Sequence, residues 1–172
     1  DGRFVASTAL MFDVRLAPGL RYEAHLMVKR PAEHLKKLKG KVESVILHVE
    51  SDGFTEAIRE AREMGFEVAA AINPGTPLGK LEKHLGDLDR VLVMTVVPGQ
   101  YGAPFVEDAL NTVRRLRRLA PNMPIEVDGA MNPENAKIWL EKFVSGANQD
   151  TRPDYLQAAN ARLIELETGV PI

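Results

Sequence analysis

The feature that most constrains this chain is the stretch at residues 90–105, RVLVMTVVPGQYGAPF. Its first part, Val91-Leu92-Val93-Met94-Thr95-Val96-Val97, is a nearly continuous apolar run rich in β-branched residues. Such a run fits a strand buried on both faces, as in a parallel sheet covered by helices. Pro98-Gly99 ends it, and Gly99 and Gly102 permit a tight loop that exposes backbone. Beyond the loop, Val106, Leu110, Val113, Leu116 and Ala120 recur at helical spacing. Arg114, Arg115, Arg117 and Arg118 lie largely off that stripe, as solvated charge on an outer helix face does. The unit therefore reads as strand, glycine-bearing loop and amphipathic helix.

The rest of the chain repeats the unit. Residues 22–28 (YEAHLMV) read as a strand and 31–38 as a helix with proline in its first turn. Residues 42–49 (VESVILHV) are a second buried strand, followed by a helix over 53–64 that Gly65 terminates. A third strand, 66–72 (FEVAAAI), leads through Asn73-Pro74-Gly75 into a helix over 77–85. After the 90–120 unit come a strand at 124–127, a helix over 133–140, a short strand at 142–145 and a closing helix over 153–167. Residues 1–20 are least regular, with a strand exit at 1–5 and a short helix at 8–16 stopped by Pro18-Gly19. No linker composition divides the chain, so residues 1–172 read as a single domain.

Composition narrows the function classes. A chain of 172 residues with 45% hydrophobic content can bury a substantial core. The net charge of −2 argues against coating nucleic acid or an anionic membrane. Without cysteine, neither disulfides nor thiolate metal sites are available. No apolar run approaches the ~18 residues of a membrane span, so a soluble, cytoplasmic protein is expected.

Strict βα alternation leaves two architectures, an open doubly wound sheet or a closed (β/α)8 barrel. The open sheet normally carries a G-x-G-x-x-G turn, and none occurs here. The barrel needs eight strands. Six are legible here, plus a stub at Asp1, and the chain opens on Asp1 rather than Met. If the barrel is the answer, that count implies that something precedes Asp1.

His25-Leu26-Met27-Val28, Met94-Thr95-Val96-Val97-Pro98-Gly99-Gln100-Tyr101-Gly102 and Glu126-Val127-Asp128-Gly129 resemble, in order and spacing, the ribulose-phosphate 3-epimerase family. LHVES at 47–51, AINPGTP at 71–77 and DGRFV at 1–5 match weaker landmarks of the same family. The resemblance implies an α/β (β/α)8 TIM barrel whose first strand and most of whose second precede Asp1, and a metal-binding isomerase of carbohydrate metabolism that interconverts D-ribulose 5-phosphate and D-xylulose 5-phosphate. It also implies proton transfer at carbon 3 between two opposed aspartates, with a divalent metal (Zn, Fe, Mn or Co) stabilising the enediolate. The chemistry explains the residue types. Removing a proton beside a carbonyl creates an oxyanion that needs a cation or fixed donors. Moving a proton between two faces needs an acid and a base on opposite sides.

By the same resemblance, Asp128 is the seventh-strand aspartate, catalytic and metal-ligating, and His25 is the third-strand metal ligand. From the residues alone, Asp128 also reads as a carboxylate capping the next helix, and His25 as a core histidine. Met94 is implied to pack over substrate or metal, although core packing explains it nearly as well. His48 sits at a strand end with its role open. The second aspartate and its partner histidine belong to an HxDxMDG context of which Asp1 matches the last aspartate, so the opposing acid is expected upstream. Gly99, Gly102, Gly129, Ser145 and Gly146 are the expected phosphate cradle, since the loops after the last barrel strands commonly bind that anion. The family usually has glycine where Ala130 stands and glutamine where Ala103-Pro104 stand. A phosphosugar substrate and a homo-oligomer are the expected partners. Two other readings remain, a lyase or decarboxylase of the same barrel superfamily and a non-catalytic phosphosugar-binding relative.

Overall fold

In the computed structural model, the structure describes residues 21–98, 103–130 and 132–133. Five strands alternate with helices: β1 (Glu23–Leu26), α1 (Ala32–Leu38), β2 (Ser44–His48), α2 (Phe54–Glu63), β3 (Glu67–Ile72), α3 (Gly79–Glu82), a 3-10 turn (Leu85–Asp87), β4 (Arg90–Met94), α4 (Ala109–Leu119) and β5 (Ile125–Asp128). Every pairing is parallel, and the sheet order is β1-β2-β3-β4-β5.

Among the described residues, that order is not the reversing order of a doubly wound sheet. A doubly wound sheet reverses its order at a switch point, which sends helices to both faces. An order that only advances, with crossovers of one hand, places all helices on one face. A parallel five-strand sheet of this order is consistent with the α/β TIM-barrel arrangement, in which closure of the sheet covers the other face. The period-two alternation of each strand serves the two sides separately. Ala24, Leu26, Val45, Leu47, Val68, Ala70, Ile72, Val91 and Val93 form one core with Leu35, Leu38, Phe54, Ile58, Leu81, Leu110, Val113 and Leu116 of the helices. Ile46, Ala69, Ala71, Leu92 and Met94 form a second cluster on the opposite face, with Met27 and Val96 against it. The pairing also climbs across the sheet: Glu23 faces Ser44 and Ser44 faces Glu67, but Arg90 faces Ala69 and Glu126 faces Leu92. Such stagger is what a tilted, closing sheet requires.

Several sequence expectations shift. Residues 95–97 fall outside β4; Val97 is 58% exposed, because the chain has already left the sheet for the loop. The helix expected over 77–85 shrinks to the single turn of α3 followed by the 3-10 turn. The helical spacing expected from Val106 onward begins as a helix only at Ala109, and Val106 instead donates its N–H to Thr95 O (2.7 Å). Expectations at residues 1–20, at Gly99 and Gly102, and on the strand and helices beyond residue 133 lie outside the described residues.

At the N-terminal rim of the sheet one arginine collects four strands. Arg90 is 16% exposed; its guanidinium pairs with Glu23 of β1, Glu67 of β3 (3.6 Å) and Glu126 of β5 (3.0 Å), and donates to Ser44 Oγ of β2 (2.7 Å). Ser44 Oγ in turn donates to Glu23 (3.0 Å). These inward-facing residues put the polar layer at the rim away from the site, where barrel residues serve stability.

Candidate active site

The polar groups at the opposite rim come from three strand ends. The alternation that sends Ala24 and Leu26 to the helices turns His25 to the inner face. His48 ends β2 on that same face and is buried at 6% exposure. Met94 and Asp128 end β4 and β5 and are register partners.

His25 and His48 meet. Their Nε2 atoms are 2.8 Å apart, with ring centres 5.0 Å apart and planes 5° from parallel. A nitrogen–nitrogen distance shorter than van der Waals contact places the rings edge to edge at hydrogen-bond distance, rather than face to face. His48 Nδ1 faces Glu50 Oε2 at 3.3 Å, and Glu50 Oε1 accepts the Asn73 N–H at 2.9 Å. Three carriers of chemistry, on β1, β2 and the residues just past β2, thus form one chain anchored in the loop after β3.

The electrostatics follow from burial and neighbours. Burial and then repulsion by His48 push the His25 imidazole down to about 4, with Asp128 pulling the other way. His25 is therefore a neutral imidazole with a lone pair near neutral pH, in the field of Asp128. Burial would raise the Glu50 carboxyl. The His48, Thr76 and Asn73 hydrogen bonds outweigh it and hold Glu50 below the usual carboxylate range.

Asp128 is exposed at the end of β5, and its carbonyl fixes the turn beneath it. Thr95, fully buried, donates from its N–H (2.7 Å) and its Oγ1 (2.9 Å) to Asp128 O, and from Oγ1 also to Gly129 O. Gly129 has φ +113°, and a Cβ there would come within 2.5 Å of Val96 Cγ2. The backbone after Asp128 thus lies directly against the start of the glycine loop. Ala130 follows in the left-handed region, at φ 49°.

Comparison with known sequences gives the family of the chain. The model of the "Ribulose-phosphate 3 epimerase family" matches residues 1–148. The chain belongs to the ribulose-phosphate 3-epimerase family. It is 32% identical over 174 residues to a ribulose-phosphate 3-epimerase of Synechocystis, covering 92% of this chain and 76% of that one. It is 31% identical over 159 residues to the Bacillus subtilis ribulose-phosphate 3-epimerase, covering 86% of this chain and 72% of that one. The chloroplastic ribulose-5-phosphate-3-epimerase of Arabidopsis thaliana is 32% identical over 174 residues, and there the chain spans 62% of the relative's length.

Of the residues that the epimerase-family resemblance singled out, His25, Met94, Asp128 and Gly129 lie at the C-terminal ends of β1, β4 and β5 or just beyond. Met94 is 2% exposed, packed with Leu92, Ala71 and Ile46, so its thioether contributes to the barrel interior. Gly99, Gly102, Ser145 and Gly146 lie outside the described residues. Two participants escaped the sequence reading, His48 as a partner of His25 and Glu50 as its anchor. The signal was present in LHVES, whose period of two puts His48 and Glu50 on one side. Among the described residues, no helix is long and apolar enough to cross a membrane.

Proposed function

We propose that the protein interconverts D-ribulose 5-phosphate and D-xylulose 5-phosphate by moving a proton at carbon 3, with Asp128 as one of the proton-transfer groups. The observation that carries this is the pair formed by a neutral imidazole and an exposed carboxylate at the C-terminal strand ends, in a chain of the epimerase family. Asp128 suits proton transfer because the residue is exposed at the strand end while its backbone carbonyl is held by Thr95.

His25 and Asp128 suit a divalent metal: an unprotonated imidazole nitrogen and a carboxylate are both donors for Zn, Fe, Mn or Co. Among the described residues no third histidine or acid completes a cluster with them, so the reading takes further donors from elsewhere. When bound, the metal would polarise the substrate oxygens and stabilise negative charge developing on them. The protein's own share is to hold His25 neutral, to present Asp128 and to carry the phosphate on backbone N–H groups around Gly129, with Gly99, Gly102, Ser145 and Gly146.

An opposing acid is needed for inversion. Glu50 is a poor candidate, since His48, Thr76 and Asn73 hold its carboxylate ionised. The family pattern supplies an aspartate upstream of Asp1. We place residues 1–172 in one barrel domain, acting on a phosphosugar as a cytoplasmic homo-oligomer.

The test is direct. The protein expressed from its complete reading frame, incubated with D-ribulose 5-phosphate and a divalent metal in D2O, should form D-xylulose 5-phosphate carrying deuterium at carbon 3. Cleavage or decarboxylation of the sugar would assign it to another phosphosugar chemistry. Binding without isotope exchange would assign it to a non-catalytic role.

A further inference from the structure

Glu50 sits two residues beyond β2 and makes contacts in two directions. One oxygen accepts the Asn73 N–H from the loop after β3 (2.9 Å); the other faces His48 Nδ1 (3.3 Å), and the Thr76 side chain also hydrogen-bonds the carboxylate. A carboxylate can only accept. In a neutral imidazole one nitrogen carries the proton and the other a lone pair. With Glu50 accepting at Nδ1, neutral His48 must therefore present its lone pair at Nε2. That lone pair faces His25 Nε2 at 2.8 Å in the plane of both rings. The proton between them then belongs to His25 Nε2, and His25 keeps its lone pair at Nδ1.

We propose that Glu50 is a positioning residue which, acting through His48, fixes the tautomer of His25 and makes Nδ1 the atom that His25 offers to a ligand at the barrel mouth. Only the identity of that ligand rests on the epimerase reading; the tautomer rests on the hydrogen-bond chain. Every link is spoken for. Rotating the His48 ring would break its bonds at both ends, and the Asn73 and Thr76 contacts keep the carboxylate from swinging away. The same carboxylate ties the loop after β3 to the end of β2, so loop placement and His25 tautomer are set by one group. Partners of this kind, which orient a ligating histidine through its other nitrogen, typically change metal affinity by 10–100-fold when lost.

Glu50→Gln tests this cleanly. Its amide oxygen can still accept the Asn73 N–H, while its NH2 turns a donor toward His48 Nδ1. The whole chain must then reverse, with protons on His48 Nε2 and His25 Nδ1. Long-range proton–nitrogen NMR on the metal-free, full-length protein at mildly alkaline pH reads the tautomers without any turnover. The expected result is His25 protonated on Nε2 in the unaltered protein and on Nδ1 in Glu50→Gln. Affinity for Co2+ alone, followed by its visible absorption, should fall by about 10–100-fold in the variant. His48→Phe is the second variant: it cuts the chain, and His25 should become a mixture of tautomers whether or not Glu50→Gln folds. His25 protonated on Nδ1 in the unaltered protein would overturn the proposal. So would a Glu50→Gln protein of lowered melting temperature but unchanged tautomer and Co2+ affinity, the mark of a merely structural role. Correct tautomers in a protein without epimerase activity would leave this proposal standing and defeat the functional reading instead.

Discussion

At the scale of single residues, Asp128, Gly129 and Ala130 show three different degrees of constraint in consecutive positions. Gly129 combines a φ of +113° with a Val96 side chain where a Cβ would stand. Gly129→Ala should therefore destabilise the protein by about 2–3 kcal/mol, the sum of backbone strain and forced movement, and should move the loop against Val96. Ala130 is the reverse case. Its left-handed backbone costs an alanine about 1–2 kcal/mol, against about 0.4–1 kcal/mol for the extra unfolded-state freedom of glycine. Ala130→Gly should then stabilise by about 0.5 kcal/mol, measurable by denaturant titration. His25 carries a pH signature. Its folded-state value near 4 lies below the ordinary 6.5, so the unfolded chain binds the extra proton between those values. Stability should be fully present above about pH 6.5 and be lost as pH falls toward 4. In the metal-free protein, His25→Asn should flatten that part of the stability–pH curve; a curve unchanged by the substitution would refute the burial argument.

At the scale of elements, the strands were legible because their alternation serves two cores. β3 reads EVAAAI, and its alanines do different work on the two faces. Ala70 meets the helices, whereas Ala69 and Ala71 sit inside the barrel beside Ile46, Leu92 and Met94. Small side chains there leave room for the large ones. Ala69→Leu should cost about 1–3 kcal/mol through overpacking, while an equally bulky change at exposed Leu119 should be nearly neutral. Thermal melting of the two variants compares them. What the sequence hid at this scale has physical reasons. Apolar content ran past the end of β4 because Thr95 and Val96 pack against the Asp128–Gly129 turn, a contact between segments 33 and 34 residues apart. The helix over 77–85 was overestimated because Gly79 and Gly86 weaken helical order within so short a segment. The pairing of His25 with His48 depends on parallel register, which a single sequence does not disclose: with His25 opposite Ile46, His48 falls two residues further up the neighbouring strand. Both histidines were visible, their adjacency was not.

At the scale of the whole molecule, the two rims of the sheet divide the labour. One holds the Arg90 cluster, the other the imidazole and carboxylate groups. Removing Arg90 leaves Glu23, Glu67 and Glu126 facing one another, a loss between the ~0–1 kcal/mol of exposed pairs and the 3–5 kcal/mol of buried ones. Arg90→Met should thus destabilise by about 2 kcal/mol and leave the turnover of folded protein unchanged, because it touches only the distal rim. The central claim, that Asp128 moves the proton at carbon 3, has its most direct test in Asp128→Asn of the full-length protein. The substitution keeps the shape and the backbone clamp from Thr95 but removes the group that takes and returns a proton. Solvent deuterium incorporation at carbon 3 of a pentulose 5-phosphate should fall by roughly 10³-fold or more, with binding of the sugar phosphate weakened far less. Isotope exchange persisting near the unaltered rate in Asp128→Asn would contradict the account and move the proton transfer to another residue.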